Sequence, residues 1–133
     1  MNDLTPLQRA TIVSNYQLMA RTLAEFQLVR WAEFSYEQQL DLNAYQNSLL
    51  GRAHDLHTRT VNPAVDQGEQ LTEAIEQLVQ HVRARLQTAI NLTLALGLGA
   101  MIVALASHVA RANRKGIHSA ISELQHLLEL EKH

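Results

Sequence analysis

His54 and His57 are the residues of this 133-residue chain whose types and spacing first suggest chemistry. Three apart on a helix, two imidazoles share one face and could hold one metal ion. A working site needs more ligands than two. Asp55 points off that face, and neither a His-Glu-x-x-His pattern nor a Glu-x-x-His pair stands beside them. His54 and His57 are therefore weak metal candidates, and solvated helix histidines are the default. His81, His108, His118 and His126 stand singly. Glu33 and Glu37 are four apart and could face together, but such pairs on helix surfaces are usually solvated. The sequence has no glycine-rich phosphate loop, no nucleophile elbow and no cysteine. Neither an enzyme nor a cofactor is expected.

Ala53-His54-Asp55-Leu56 resembles the start of the phospho-acceptor box of sensor histidine kinases, which continues Arg-Thr-Pro. Here His57, Thr58 and Arg59 follow and the proline is missing, so the resemblance ends after four residues.

The elements around these residues are organised by another stretch. From Ala89 to Ala106 (AINLTLALGLGAMIVALA) no residue is charged, and only Asn91 and Thr93 are polar. A helix of ~20 such residues, rising ~1.5 Å per residue, crosses the ~30 Å hydrocarbon core of a bilayer. Small residues at Gly97, Gly99, Ala100 and Ala104 suit close approach between membrane helices. This reading makes 88–110 a single transmembrane helix. The alternative is a soluble, cytoplasmic four-helix bundle in which Gly97-Leu98-Gly99 is a turn, glycine being the residue that takes positive φ at little cost. Apolar flanks without a polar side favour the membrane reading. His108 would then lie near the membrane surface, where snorkelling is its simplest role.

Before that run the chain reads as helix. Thr5-Pro6-Leu7-Gln8 is a capping box with proline at the first position, and Ile12, Tyr16, Met19, Leu23 and Phe26 form one apolar face. Ser35 to Gln38 is a second capping box, after which Leu42, Tyr45, Leu49, Ala53 and Leu56 lie on a shifted face. One long, irregular helix from about Pro6 to Thr60 is expected. Val61-Asn62-Pro63 marks its end, since the residue before proline avoids the α region and Asn62 can cap a new helix starting at Pro63. Leu71, Ile75, Leu78, Val82 and Leu86 then make the face of a helix expected to run unbroken to about Asn113. Lys115-Gly116 reads as its C-terminus, followed by an amphipathic helix bearing Ile117, Ile121 and Leu124.

The expected fold is all-α: a long antiparallel hairpin over 1–87 turning near 61–63, a transmembrane helix over 88–110, and a basic-flanked amphipathic helix over 111–133. From Val61 onward this order resembles the second half of four-helix-bundle chemoreceptor sensor domains. No first transmembrane helix is seen before it and no signalling domain after it.

Net charge is −2 and 18% of residues are charged, below the ~25% of ordinary soluble domains. Arg111, Arg114 and Lys115 are the single basic cluster and read as an interfacial anchor, so nucleic acid is not an expected partner. Arg83 and Arg85 before the span nearly balance them, which leaves membrane orientation open. All the aromatic residues lie in the first half, and Trp31, Phe34, Tyr36 and Tyr45 are candidates for a partner interface. The expected partners are a membrane, and a second copy or a larger assembly. Three roles are expected in turn: a membrane-anchored scaffold or accessory subunit, a membrane-inserting protein of the pore-forming or holin kind, and a soluble sensory or regulatory bundle.

Overall fold

A computed structural model describes residues 2–88 and 91–130. The fold is all-α, with five α-helices and one two-stranded sheet among the described residues. Helix α1 spans Pro6–Val29, α2 Tyr36–His57, α3 Gly68–Thr88, α4 Leu92–Ala110 and α5 Arg114–Glu129. Strands β1 (Asn2–Asp3) and β2 (Ala64–Val65) pair antiparallel.

The expected helix from Pro6 to Thr60 is two helices. A single 3-10 turn, Trp31–Glu33, reverses the chain, and α2 returns antiparallel along α1. Both capping boxes form: Thr5 accepts from the Gln8 N–H and Ser35 from the Gln38 N–H, each at 3.1 Å, and each glutamine side chain accepts in return. The antiparallel hairpin is thus α1 and α2, closed at 30–35. A second reversal comes after α2, close to 61–63. Pro63 leads there into β2 rather than into helix, so α3 starts only at Gly68.

The helix expected to run unbroken to about Asn113 is also two. Asn91 caps α4 with its side-chain oxygen on the Leu94 N–H at 3.2 Å, and α4 turns back against the direction of α3. Ala89 and Ile90, the start of the apolar run, lie outside the described residues, as does 131–133 of the last segment. Gly97-Leu98-Gly99 is not a turn but lies within α4. Gly116 is not a C-terminal cap either. The left-handed residue after α4 is Ala112 (φ 50°), and Asn113 starts α5 by accepting from the Gly116 N–H at 3.0 Å.

Pairwise contacts fix the order around the bundle. Arg83 donates to Thr22 and Gln8 lies on Gly68, so α1 and α3 run side by side in the same sense. Arg52 donates to Ser107 and Tyr45 lies on Gly99, so α2 and α4 do likewise. Leu127 approaches Gly97 while His108 meets Gly116, which makes α4 and α5 antiparallel. The ring reads α1-α2-α4-α5-α3. Its core holds the apolar faces expected from periodicity: Ile12, Tyr16, Met19, Leu23 and Phe26 of α1, and Leu71, Ile75, Leu78, Val82 and Leu86 of α3, are all buried. Each such side chain contributes about 1.5–3 kcal/mol by leaving water.

Candidate functional site

Helix α4 has 19 residues with a mean hydropathy of 2.0 over its most apolar window, long and apolar enough to cross a membrane. A core helix of a soluble protein passes the same test, so the packing around α4 matters. Leu94, Ala95, Leu98, Ile102, Leu105, Ala106 and Val109 form its buried face, at the three- and four-residue steps of one helix side. The opposite stripe, Leu96, Ala100 and Val103, is half-buried, and from Leu94 to Ala110 no residue is fully exposed. That stripe carries no charge to hold it toward water.

Of the four small residues, Gly97, Ala100 and Ala104 follow three- and four-residue steps along one half-buried side of α4, and Gly99 lies apart from them on the buried side. A Cβ on Gly99 would stand 3.1 Å from Tyr45 and 3.3 Å from Leu23, so this glycine lets α4 close on α1 and α2. A Cβ on Gly97 would stand 4.0 Å from Leu127 of α5, and Ala100 and Ala104 are half-buried. Gly99 thus serves packing inside this chain, whereas Ala100 belongs to the outward stripe.

The aromatic candidates separate in the same way. Trp31 and Tyr36 are 57% and 76% exposed at the α1–α2 turn, beside exposed Leu28, Val29 and Leu40. Phe34 is buried, its ring 5.8 Å from that of Phe26 at a tilted angle, with Arg30 stacked on the other ring. Tyr45 is half-buried, and burial, assisted by Asp41, raises its phenol pKa. Trp31 and Tyr36 therefore form one apolar tip with Phe34 beneath it on Phe26, whereas Tyr45 lies further along α2 against Gly99 of α4. The tip stands on an amide network. Gln27 donates to the Gln39 side chain at 2.7 Å and accepts from Gln46 at 2.6 Å, while Gln39 donates to the Trp31 carbonyl at 2.8 Å. Sequence periodicity holds no hint of it, because glutamines read as solvent-facing until the burial of Gln27 and Gln39 is seen.

His54 and His57 are exposed on α2, and no group of three or more His, Asp or Glu residues that could hold a metal exists among the described residues. His108 is half-buried, with Nδ1 3.4 Å from the Asn113 side chain. Its ring lies against Gly116 of α5.

Two cavities open between α3 and α5, the least tightly joined neighbours in the ring. One of about 950 Å³ lies where both helices begin and is lined by Leu71, Ala74, Ile117 and Ile121 with Arg114, Lys115 and His118. The other, about 400 Å³, continues from Ala74 and Ile121 to Leu78 and Leu128. The sequence marks the faces of both helices but not that they stand apart.

Compared with family models, curated proteins and solved structures, the chain gives no match.

Proposed function

We propose that the chain is a non-enzymatic, membrane-associating helical protein. Its bundle keeps the bilayer-length helix α4 folded in water and delivers it to a membrane, where α1 to α3 remain as a scaffold for a protein partner. The observation that carries this reading is the outward stripe of α4. Leu96, Ala100 and Val103 are half-buried on an uncharged helix, with polar residues on that stripe only at its two ends, Thr93 and Ser107, whereas a bundle helix with a permanent water-facing side carries polar residues along its length. The tip of Trp31 and Tyr36 offers the partner contact, since exposed aromatic side chains with adjacent aliphatics are the usual anchors of interfaces.

Burial of Gly99 against Tyr45 and Leu23 favours a second reading, a bundle that stays soluble and regulates through a ligand or partner. The two readings part in one experiment. Untagged chain is mixed with vesicles and the pelleted membranes are extracted with alkaline carbonate. Retention of the wild type and release of Val103→Lys support membrane association, because a central lysine costs ~2.5–3.5 kcal/mol on insertion. Wild type left in the supernatant as a monomer refutes it and leaves the soluble bundle.

A further inference from the structure

We infer that the groove between α3 and α5 binds a free long-chain carboxylate, with its head at the start of α5 and its chain lying toward Leu128. This goes beyond membrane association and does not depend on it.

Shape comes first. The cavities of about 950 Å³ and about 400 Å³ share Ala74 and Ile121, so they form one elongated trough. From Arg114 to Leu128 the helix advances ~21 Å at ~1.5 Å per residue. Leu71, Leu78 and Leu128 are buried and give the trough an apolar wall along this length. Ligand sites are mostly apolar, with a few polar groups that fix orientation.

Charge then selects the class and the direction. The mouth at the start of α5 presents Arg114, Lys115 and His118. The acid on that rim is Asp66, 3.4 Å from Arg114. Along the middle, the rim is Gln70, Ser122, Gln77 and Gln125, all neutral, and the far end carries His81 and Glu129. A ligand with one anionic end and a long uncharged body matches this distribution. A peptide helix would bring charges along its length to a rim that offers none at mid-length. Arg114 is 86% exposed and free to turn from Asp66 toward a carboxylate, where a guanidinium makes paired hydrogen bonds.

The test is calorimetric titration of the full chain with sodium dodecanoate below its micelle concentration. Dodecanol, butanoate and phosphatidylglycerol vesicles are the comparison probes. One saturable dodecanoate site is expected, with dodecanol about tenfold weaker and butanoate silent. Lys115→Glu, at an exposed position, weakens dodecanoate about tenfold without altering the fold. Ala74→Trp fills the trough where its two cavities meet and abolishes binding, its folding checked by circular dichroism. Vesicle association that persists in Ala74→Trp and is not displaced by dodecanoate locates the free acid, not bilayer lipid, in the groove. Equal affinity for dodecanol, unsaturable uptake, or wild-type affinity in Lys115→Glu each overturns the proposal. So does a dimer weakened by Ala74→Trp with no dodecanoate binding, which gives the groove to a second copy.

Discussion

The imidazole of His108 occupies the space that a side chain at Gly116 would need, and an added Cβ would overlap its Nδ1 and Cγ. Glycine at this point of α5 is a steric requirement of the α4–α5 corner, not a helix stop. Gly116→Ala is expected to destabilise the chain by about 1–3 kcal/mol in urea unfolding, as overpacked sites do. In a His108→Ala background the same change reverses sign and stabilises by about 0.5–1 kcal/mol, the ordinary advantage of alanine over glycine in a helix. Additive effects in the double mutant would mean that the ring does not hold this position.

Gly97 and Gly99 give a paired comparison for where α4 resides. With the bundle intact, Gly97→Ala is neutral or stabilising by up to about 1 kcal/mol, since the added Cβ meets only Leu127, at 4.0 Å. Gly99→Val destabilises by about 1–3 kcal/mol against Tyr45 and Leu23. Equal responses at the two positions in aqueous unfolding would place α4 outside this packing.

Gln27 of α1 has three partners on α2: Gln39, Asn43 and Gln46. Gln27→Leu leaves the Gln39 and Gln46 amides short of their partner, a loss of about 1–3 kcal/mol. Because Gln39 also holds the Trp31 carbonyl, tryptophan emission should shift in the folded variant. An unchanged emission maximum and midpoint would show the network to be dispensable.

Tyr16 supplies a prediction at alkaline pH. Its hydroxyl is buried with no hydrogen-bond partner among the described residues, and burial pushes its pKa well up, against a smaller lowering by Arg52. The unfolded phenol releases its proton near pH ~10 while the folded one keeps it. The unfolded state then binds fewer protons, so stability falls as pH rises past that value, by up to ~1.4 kcal/mol per unit. Tyr16→Phe should lose this part of the slope and match or exceed wild-type stability at neutral pH. An identical pH profile for the two proteins refutes the assignment.

Much of this fold is legible in the order of the amino acids. The capping residues Thr5, Gln8, Ser35 and Gln38 mark two helix starts, and the apolar steps of α1 and α3 name their buried faces correctly. Continuity is the misleading part. The turn at Trp31–Glu33 contains neither glycine nor proline, and Asn91 caps a helix inside an apolar run where lipid is the simplest explanation. Each new helix starts on a local cap, Ser35 at one break and Asn91 at the other, and the reversed helices are then held by tertiary contacts: Phe34 on Phe26, and Tyr45 over Gly99. Of the candidate sites, the exposure of Trp31 and Tyr36 accords with their place at a turn. The α3–α5 groove has no such signal, because hydrophobic periodicity records which side of a helix is dry and not how near its neighbour stands.

The ring order also sets a hierarchy of opening. Helices α4 and α5 contact each other closely, meet the remainder chiefly through α2, and adjoin α3 only across the groove. They can come away as one hairpin while α1 stays covered by α2 and α3. Backbone amides of α4 and α5 should therefore exchange with deuterium through a partial opening of lower free energy than that which exposes α1, giving two protection classes in one small chain.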